Sequence, residues 1–326
     1  MRILLAPREG VIDALMRDTL SAIGGIDICV TEFIRVNDHI FPDKVFYKRC
    51  PELLNNSLTS ASTPVRVQLL GGKPKPIAGN AYKVALLGAK AVDLNFGCPA
   101  KTVNRSDGGA CLLKEPHRVN DIVLAVRQAV PAHIPVTVKI RLGFDDRSAY
   151  MENALAAYEG GANELTVHAR SRADGYKPPA YWEYIGEINQ AIPITVNANG
   201  EIWNLADYQR CRAVTGCESF MLGRGLLACP DLALQIKAWH LGENYQAMSW
   251  PQLCSLLLVF FKKTAVSYPE KSMGNRLKQW LFYLCRQYAE AQVLFDKIKG
   301  SRDQIIIEKA IHGSMKQSSA RQKMQA

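Results

Sequence analysis

Eight short apolar segments recur along the first two thirds of the chain and constrain its fold more than any other feature. They are rich in β-branched residues and lie roughly 25–35 residues apart, as in repeated strand–helix units. Such runs predict strands buried on both faces of a parallel sheet. The segments are Ile3–Ala6, Ile28–Thr31, Val65–Leu69, Val92–Asn95, Val136–Ile140, Leu165–His168, Ile194–Asn197 and Ser219–Leu222. Eight units predict an α/β fold of the (β/α)8 TIM-barrel type.

An open doubly wound sheet is the alternative arrangement of such units. No G-x-G-x-x-G motif follows the first segment, which argues against a Rossmann domain. The chain has 326 residues, and a barrel of about 240 residues leaves room for a small second domain. The strand–helix rhythm stops near residue 242. We therefore predict a barrel at 1–242, a small all-α domain at 243–313 and a disordered polar tail at 314–326.

Polar residues or glycines follow seven of the eight predicted strands. Active sites of TIM barrels lie at the C-terminal ends of the strands, so these residues are site candidates. Each alone has an ordinary structural alternative, but a purely structural rim would not need all of them. They are Pro7, Arg8 and Glu9; Gln68; Asn95 and Cys98; Lys139 and Arg141; His168; Asn199, Gly200 and Glu201; and Gly223 and Arg224.

Cys98 is held between Gly97 and Pro99, directly after the fourth predicted strand. Glycine permits the turn and proline restricts the backbone, so the thiol has a defined direction. The glycine pair in the segment 106–110 could close over a ligand. The alternative is that Cys98 is one more small buried residue, since free cysteines are commonly buried. The position predicts a thiol used in chemistry.

The turns after strands seven and eight, around Gly200 and Gly223, are rich in glycine. TIM barrels often bind phosphate at this place through backbone N–H groups. The pattern indicates a phosphorylated ligand, which could be a flavin or a sugar phosphate. Lys139 favours the flavin, because a lysine beneath the ring stabilises its reduced, anionic form. Gln68 could bond the pyrimidine edge of the ring.

The C-terminal quarter is strongly basic. Residues 245–326 carry 13 Lys and Arg against 5 Asp and Glu, a net charge of +8, out of +10 for the whole chain. We predict helices at 249–266, 275–288, 289–299 and 303–312. In the second of these, Leu277, Trp280, Leu281 and Leu284 share one face. A basic helical appendage indicates polyanion binding, and a generically basic surface is the alternative. Phe282 could stack on a base, but packing on a neighbouring helix is favoured.

Asn95-Phe96-Gly97-Cys98-Pro99, followed by Lys101 and Asn104, resembles the signature of the tRNA-dihydrouridine synthases. The resemblance extends in order from residue 2 to about residue 230. It implies that FMN binds at Pro7, Gln68, Lys139, His168, Asn199, Gly200, Gly223 and Arg224, and we include Arg8, Glu9 and Glu201. The family usually has Ala-Pro-Met where this chain has Ala6-Pro7-Arg8. Arginine is a fixed cation, so the role of position 8 is open.

The resemblance also implies the reaction. NADPH or, as the alternative, NADH reduces FMN, hydride passes to carbon 6 of a flipped-out uracil, and Cys98 protonates carbon 5 as general acid. The C-terminal helices resemble the C subgroup, whose target is uridine 16 of the tRNA D-loop. Candidate tRNA-binding residues are Arg35, Asn95, Lys101, Arg141, Arg276, Lys278 and Arg286.

Two other functions stay open at the level of sequence. One is an FMN-dependent barrel oxidoreductase for a free small molecule, and the other is a catalytically inactive RNA-binding protein. The nine cysteines show no CxxC pair, and the N-terminus lacks a signal peptide. No apolar run reaches the length of a membrane span. We expect a cytoplasmic monomer without metal or disulfide, with tRNA as its partner.

Overall fold

A closed barrel of parallel strands forms the first part of the molecule. The computed structural model describes residues 1–325, with side chains described as far as residue 318. The strands are β1 (Arg2–Leu5), β2 (Ile28–Val30), β3 (Ile34–Arg35), β4 (Val65–Leu70), β5 (Val92–Asn95), β6 (Val136–Arg141), β7 (Glu164–His168), β8 (Thr195–Asn199) and β9 (Ser219–Leu222). All eight strands predicted from the sequence are confirmed; the two-residue β3 is additional.

The barrel closes because β1 pairs with the last strand as well as with its neighbour. Every strand pair is parallel, in the order β1, β2, β4, β5, β6, β7, β8, β9 and back to β1. Ile3 lies opposite Phe220 in this closing pair. The short strand β3 pairs with the C-terminal end of β4. The fold is therefore a (β/α)8 TIM barrel, as predicted.

An ion-pair cluster lies at the opening where the strands begin. Glu164 on β7 accepts hydrogen bonds from Arg66 on β4 at 2.9 and 3.0 Å and from Arg2 on β1 at 3.0 Å. Burial raises the pKa of the Glu164 carboxyl, but the two guanidinium groups outweigh burial and hold the pKa below its usual range. This end of the barrel is stabilised by charge pairing and is distant from the strand ends that carry the site.

Helices surround the barrel. They are α1 (Ala14–Ile23), α2 (Asp43–Arg49), α3 (Pro74–Leu86), α4 (Lys101–Asn104), α5 (Pro116–Ala129), α6 (Tyr150–Glu159), α7 (Trp182–Ala191) and α8 (Leu205–Thr215), with short 3-10 turns at Pro51–Asn55 and Gly109–Lys114. Asn204 caps α8 by accepting the Asp207 N–H, and Gly216 ends it with a φ of +62°. Among residues 1–325, no helix is both long enough and apolar enough to cross a bilayer.

The second unit of the chain is made of helices. Internal contacts divide the chain after Gly223, so residues 224–326, with Ile23–Gly25, form a unit apart from the barrel. The helices of this unit are α9 (Arg224–Ala228), α10 (Leu232–Leu241), α11 (Trp250–Ser267), α12 (Asn275–Leu284), α13 (Ala289–Ile298) and α14 (Gln304–Gln325), with a 3-10 turn at Glu270–Ser272. Within this unit α9 packs with α12, where Trp280 Nε1 donates to the Leu227 carbonyl at 3.0 Å. A domain boundary at 242 stays a prediction.

The amphipathic helix predicted from residue 275 is confirmed as α12. Leu277, Trp280, Leu281 and Leu284 are all fully buried. Phe282 departs from its prediction: it is 71% exposed and does not pack into the helical core. Its position places the ring on the opposite side of α12 from the four buried residues.

The segment from residue 314, predicted as a disordered tail, continues α14 as far as Gln325. Ser314 is buried and accepts a hydrogen bond from Trp250 Nε1 at 3.0 Å, so α14 packs beside α11 at this point.

Candidate active site

Cys98 lies on the loop that follows β5, and this loop is fixed from its base by Asn95. The Asn95 side-chain oxygen accepts the backbone N–H groups of Gly97 at 2.9 Å and of Cys98 at 3.0 Å. An Asn side chain that folds back in this way replaces a backbone turn. The thiol consequently has a set direction, as the sequence predicted.

A chain of buried side chains holds Asn95 in turn. Asn95 Nδ2 donates to Gln68 Oε1 at 2.7 Å, and Gln68 Nε2 donates to Asp93 Oδ2 at 2.7 Å. Thr137 Oγ1 donates to the other Asp93 oxygen at 2.5 Å. Because Asp93 only accepts when ionised, it fixes which way the Gln68 amide points. Sequence reasoning missed Asp93 and Thr137, since a buried polar residue within an apolar strand gives no periodic signal.

Gln68 has no exposed surface, and its role in this arrangement is to hold Asn95. Contact with a cofactor stays a prediction that requires a neighbouring side chain to move aside. Asn95 has the same double character. Its oxygen is committed to the Cys98 loop, and base binding by the remaining Nδ2 hydrogen stays a prediction.

Two further contacts fix the Cys98 loop from the other sides. Arg141 Nε donates to the Gly97 carbonyl at 2.8 Å, and Arg141 Nη1 donates to the carbonyls of Ser171 and Gly175 at 3.0 Å each. Arg141 is only 3% exposed, so it ties the loop after β5 to the loop after β7. Direct contact between Arg141 and a substrate is not part of this geometry and stays a prediction.

The glycine pair at 108–109 is a buried support and not the flap that the sequence suggested. Gly109 has a φ of +68°, and a Cβ added there would lie 2.9 Å from the Cys98 carbonyl oxygen and 3.0 Å from Cys98 Cβ. The next residue, Ala110, donates its N–H to that same carbonyl at 3.1 Å. Only glycine allows this close approach beneath the cysteine.

Cys98 is half-buried and protonated at neutral pH. Burial raises the pKa of its thiol, while a backbone hydrogen bond and the Arg141 cation oppose the rise without cancelling it. All nine cysteines are free thiols. Of these, Cys98, Cys111 and Cys285 alone are not fully buried. Cys98 therefore meets the requirement of a thiol proton donor.

Lys139, on β6, carries an amine that is only partly charged at neutral pH. Its Nζ donates to Asn199 Oδ1 at 3.0 Å, and no carboxylate lies within ion-pair distance of it in the portion described. Burial and the neighbouring Arg141 cation lower the pKa of Lys139 to about 7, and Asp93 partly opposes them. An anionic ligand beside Nζ would favour the charged form and bind more tightly for that reason.

The end of β8 opens the backbone toward the mouth. Gly200 and Glu201 both have positive φ values, of 120° and 59°. A Cβ at Gly200 would lie 3.4 Å from Ala169 N and 3.6 Å from His168 Nε2. Glu201 accepts a hydrogen bond from the fully buried Arg170 at 2.5 Å, so its side chain braces the turn.

Tyr176, on the loop after β7, is a site residue that the sequence analysis missed. The guanidinium carbons of Arg8 and Arg141 lie 5.6 and 5.3 Å from the centre of the Tyr176 ring. The His168 ring packs edge-on against it, with 6.0 Å between the ring centres. Arg8 thus faces an aromatic ring in the position where methionine was expected. A tyrosine in an irregular loop carries no sequence signal of its own.

The remaining predicted residues of the barrel lie around this centre. Glu9 is half exposed with a carboxylate oxygen 3.5 Å from Arg49, and burial raises the pKa of its carboxyl. Pro7 follows β1. Arg35 Nη2 donates to the Thr102 carbonyl at 3.2 Å, which places it beside α4, and Lys101 opens α4 with an exposed side chain.

Four predicted residues belong to the second unit. Arg224 opens α9 directly after Gly223, while Arg276, Lys278 and Arg286 lie on or just after α12. Lys278 Nζ donates to the Ser301 carbonyl at 2.6 Å, and burial lowers its pKa. Arg286 is exposed. Their roles in binding cofactor and tRNA stay predictions.

The residues at the barrel mouth fit a flavin mononucleotide. The fit rests on Lys139, whose amine has no carboxylate within ion-pair distance among the described residues, and on Gly200, whose φ of 120° favours glycine and turns the backbone at the end of β8. Within the described residues, His, Cys, Asp and Glu side chains form no group of three that could hold a metal ion.

Fold and site together define a (β/α)8-barrel enzyme with one oriented, protonated thiol beside a cationic, glycine-lined mouth. The chain belongs to the dihydrouridine synthase (Dus) family, whose profile matches residues 4–320. It is 54% identical to a tRNA-dihydrouridine(16) synthase of Shewanella oneidensis over 299 residues, 92% of this chain and 93% of the relative. A protein of that name from Haemophilus influenzae is 47% identical over 304 residues, 92% of this chain and 95% of the relative.

Solved structures agree with the fold. A 2-naphthoyl-CoA reductase matches with a TM-score of 0.55 at 12% identity, covering 74% of this chain and 50% of its own. Histamine dehydrogenase from Rhizobium sp. 4-9 has the same TM-score and identity, with 80% and 48% covered. At this identity the likeness concerns the fold alone.

Proposed function

We propose that this protein reduces the 5,6 double bond of uridine 16 in the D-loop of tRNA. The observation that carries the proposal is the oriented Cys98 thiol in a chain that matches the dihydrouridine synthase family from residue 4 to residue 320. Relatives named for position 16 share 44–54% of their residues with it. The names of these relatives support uridine 16 over uridines at other D-loop positions.

Cys98 acts as the general acid in this proposal. The reduction of a carbon–carbon double bond needs one hydride and one proton, and a positioned thiol donates the proton to carbon 5. Asn95, Arg141 and Gly109 hold Cys98 in one direction. The raised pKa keeps the proton on sulfur until the substrate accepts it. The thiolate that remains is reprotonated from solvent.

FMN, when bound, supplies the hydride that adds to carbon 6. Lys139 and the backbone at Gly200 would hold it, with Asn199, His168 and the other predicted cofactor residues around them. The Lys139 ammonium charge would favour the bound anion. The reductant in this proposal is NADPH.

The substrate reaches the site as part of tRNA, in the cytoplasm. The target base must leave its stack to approach the thiol, and the energy of that step is repaid by contacts on either side. The proposed tRNA contacts on the barrel are Arg35, Asn95, Lys101 and Arg141. Those on the helical unit are Arg276, Lys278 and Arg286. One docking surface per chain is sufficient, and we expect a monomer.

Position-resolved mapping of dihydrouridine tests the proposal. Unmodified total tRNA is incubated with purified protein and NADPH, and compared with a sample without enzyme. We expect new dihydrouridine at position 16 alone. Cys98→Ala should abolish it while retaining bound flavin.

Each other outcome points to a different error. Dihydrouridine at other positions would keep the chemistry and overturn the choice of uridine. A yellow protein that oxidises NADPH without modifying tRNA would indicate a small-molecule flavoenzyme. A colourless protein that binds tRNA would indicate an RNA-binding role alone, and loss of flavin in Cys98→Ala would make Cys98 a structural residue.

A further inference from the structure

A cavity of about 600 Å³ lies beside the Cys98 loop, at the same end of the barrel. It is formed by α4, the 3-10 turn after it, the start of α5 and the loops after β6 and β7. Its lining includes Lys101, Arg105, Lys114, Arg118, Arg172 and Phe144. A volume of 300–1,000 Å³ is typical of small-molecule sites. None of the residues with predicted FMN contacts lines this cavity, and of the proposed tRNA contacts only Lys101 is part of its described lining.

The cavity shares a wall with the active-site loop. Asn104 Nδ2 donates to the Cys98 carbonyl at 3.1 Å, and Asn104 Oδ1 accepts the Cys111 N–H at 2.7 Å. Both Asn104 and Cys111 line the cavity. A ligand in it is therefore separated from Cys98 by a single loop, and an extended molecule could reach from one to the other.

Five cationic and two acidic side chains line the cavity, and the acidic charge is already committed. Asp107 pairs with Arg118 at 2.6 Å, and Glu115 also approaches Arg118, at 3.4 Å. Lys114 pairs with Asp145 at 2.9 Å.

The other three cations, Lys101, Arg105 and Arg172, have no carboxylate within ion-pair distance in the part of the chain that the structure describes. Positive charge that converges on a concave wall without a counter-ion favours an anionic ligand.

Phe144 contacts two of these cationic side chains. Lys114 Nζ lies 4.3 Å from the centre of its ring, and the Arg172 guanidinium carbon lies 5.0 Å from it. These cation–π contacts restrict both side chains before a ligand arrives. The planar guanidinium of Arg172 can then bond two oxygens of one phosphate.

We propose that this cavity binds the 2′-phosphate and adenosine of NADPH. The proposal rests on the proposed function, because it names the site of that reaction's reductant. A phosphate monoester carries nearly two negative charges at neutral pH, whereas each RNA phosphodiester carries one. Three uncompensated cations in one cavity match the monoester better. The cavity is also larger than one backbone phosphate needs, and it has room for the nucleoside.

Ligand binding to the FMN-loaded protein tests the proposal without turnover. The probes are 2′,5′-ADP and 5′-AMP, which differ by the 2′-phosphate, and binding is measured by calorimetry. We expect 2′,5′-ADP to bind at least tenfold more tightly than 5′-AMP. Arg172→Gln and Arg105→Gln should each remove most of that preference and leave 5′-AMP binding unchanged.

Lys177→Gln is the matched control, because Lys177 is exposed on the same loop as Arg172 and does not line the cavity. It should bind both probes as the unaltered protein does. Equal binding of the two probes by the unaltered protein would overturn the assignment. So would full retention of the preference in both arginine variants.

Two further measurements separate the phosphate sources and the hypotheses. In anaerobic flavin reduction, the half-saturating NADPH concentration should rise about tenfold in Arg172→Gln, with that for NADH unchanged. If Arg172→Gln loses tRNA affinity tenfold and binds 2′,5′-ADP as before, the cavity would instead be assigned to an RNA phosphate. If tRNA is not modified but 2′,5′-ADP discrimination persists, the proposed function fails and the nucleotide site remains.

Discussion

Neighbouring residues fix the direction of the Cys98 thiol, and burial keeps it protonated. Its role as general acid can therefore be tested through the pH dependence of turnover. The sign follows from the raised pKa. The thiol is the active form, so turnover is present below the folded-state pKa and is lost as the pH rises through it. An ordinary cysteine has a pKa of about 8.5. We expect the loss of activity that belongs to Cys98 to begin only at a pH above the one at which an ordinary cysteine ionises.

Alkylation by iodoacetamide provides an independent reading, because it requires the thiolate. In a Cys111→Ser, Cys285→Ser background, Cys98 is the one cysteine that is not fully buried. Its rate of modification should rise over the same pH range in which turnover falls. Rapid modification at pH 7 would mean that Cys98 is a thiolate and that the general acid lies elsewhere.

Tyr176 and Asp93 show why parts of the site could not be read from the sequence. The signature around Cys98 is local in sequence, so its residues could be named directly. Tyr176 acquires its place only because Arg8 and Arg141, both more than 30 residues earlier in the chain, converge on its ring. Asp93 acquires its role from Gln68 and Thr137 on neighbouring strands. Such long-range pairings leave no periodic pattern in the chain.

Among the elements, the loop after β5 depends on a close approach that one methyl group would prevent. Gly109→Ala would place a Cβ 2.9 Å from the Cys98 carbonyl oxygen, and the loop must shift. We expect a loss of at least tenfold in dihydrouridine formation by a protein that is still folded. Turnover and thermal unfolding are measured on the same preparation.

Gly88→Ala separates the backbone effect from the clash. Gly88 also has a positive φ, of 89°, but nothing lies within 4 Å of an added Cβ. The Gly88→Ala variant should lose about 1 kcal/mol of stability, because alanine is strained at a positive φ, and it should keep its turnover. Gly109→Ala has a similar backbone cost in addition to its clash. If both variants lose activity equally, the close packing beneath Cys98 has no role in catalysis.

On α12, the exposed Phe282 tests how the helical unit uses its outer face. Because the ring is 71% exposed, Phe282→Ala should change the free energy of unfolding by less than about 0.5 kcal/mol. Base stacking on an aromatic ring is worth about 1–3 kcal/mol, so tRNA affinity should fall about tenfold. Filter binding with unmodified tRNA measures it.

Val293→Ala is the comparison, since Val293 on α13 is also exposed, at 53%, and cannot stack. It should bind tRNA normally. Unchanged affinity in Phe282→Ala would show that the aromatic side chain is not part of the tRNA surface.

The elements themselves were predictable to different degrees. The eight barrel strands are continuous apolar runs, and α12 has a clear apolar stripe, so both were found. Strand β3 has two residues and no pattern. The contact group that begins at Arg224 could not be read from the sequence, because α9 and α10 continue the strand–helix rhythm. The bond from Trp280 to Leu227, which joins α12 to α9, spans 53 residues and leaves no local pattern. The helix at 314–325 is polar in composition and gave no sign of its packing.

For the whole molecule, the uneven charge predicts a salt-dependent affinity for tRNA. Residues 245–326 carry +8 of the net +10. Each phosphate contact with single-stranded RNA contributes about −0.7 to the slope of log affinity against log salt. With contacts from Arg276, Lys278 and Arg286, we expect a slope steeper than about −2.

Arg286→Gln should make the slope shallower by about 0.7, and Lys75→Gln on the barrel helix α3 should leave it unchanged. An affinity for tRNA that does not respond to salt would argue against a backbone-binding role of this quarter of the chain.

The pairing of β1 with β9 has a consequence for how the protein comes to be made. Ile3 and its partner Phe220 are more than 200 residues apart, so one edge of the first strand has no partner until more than two thirds of the chain has been made. Contacts of such long range slow folding, and an unpaired edge invites other chains. Barrel closure thus requires Ser219–Leu222, and a chain that stalls before Ser219 should be a substrate for chaperones and aggregation.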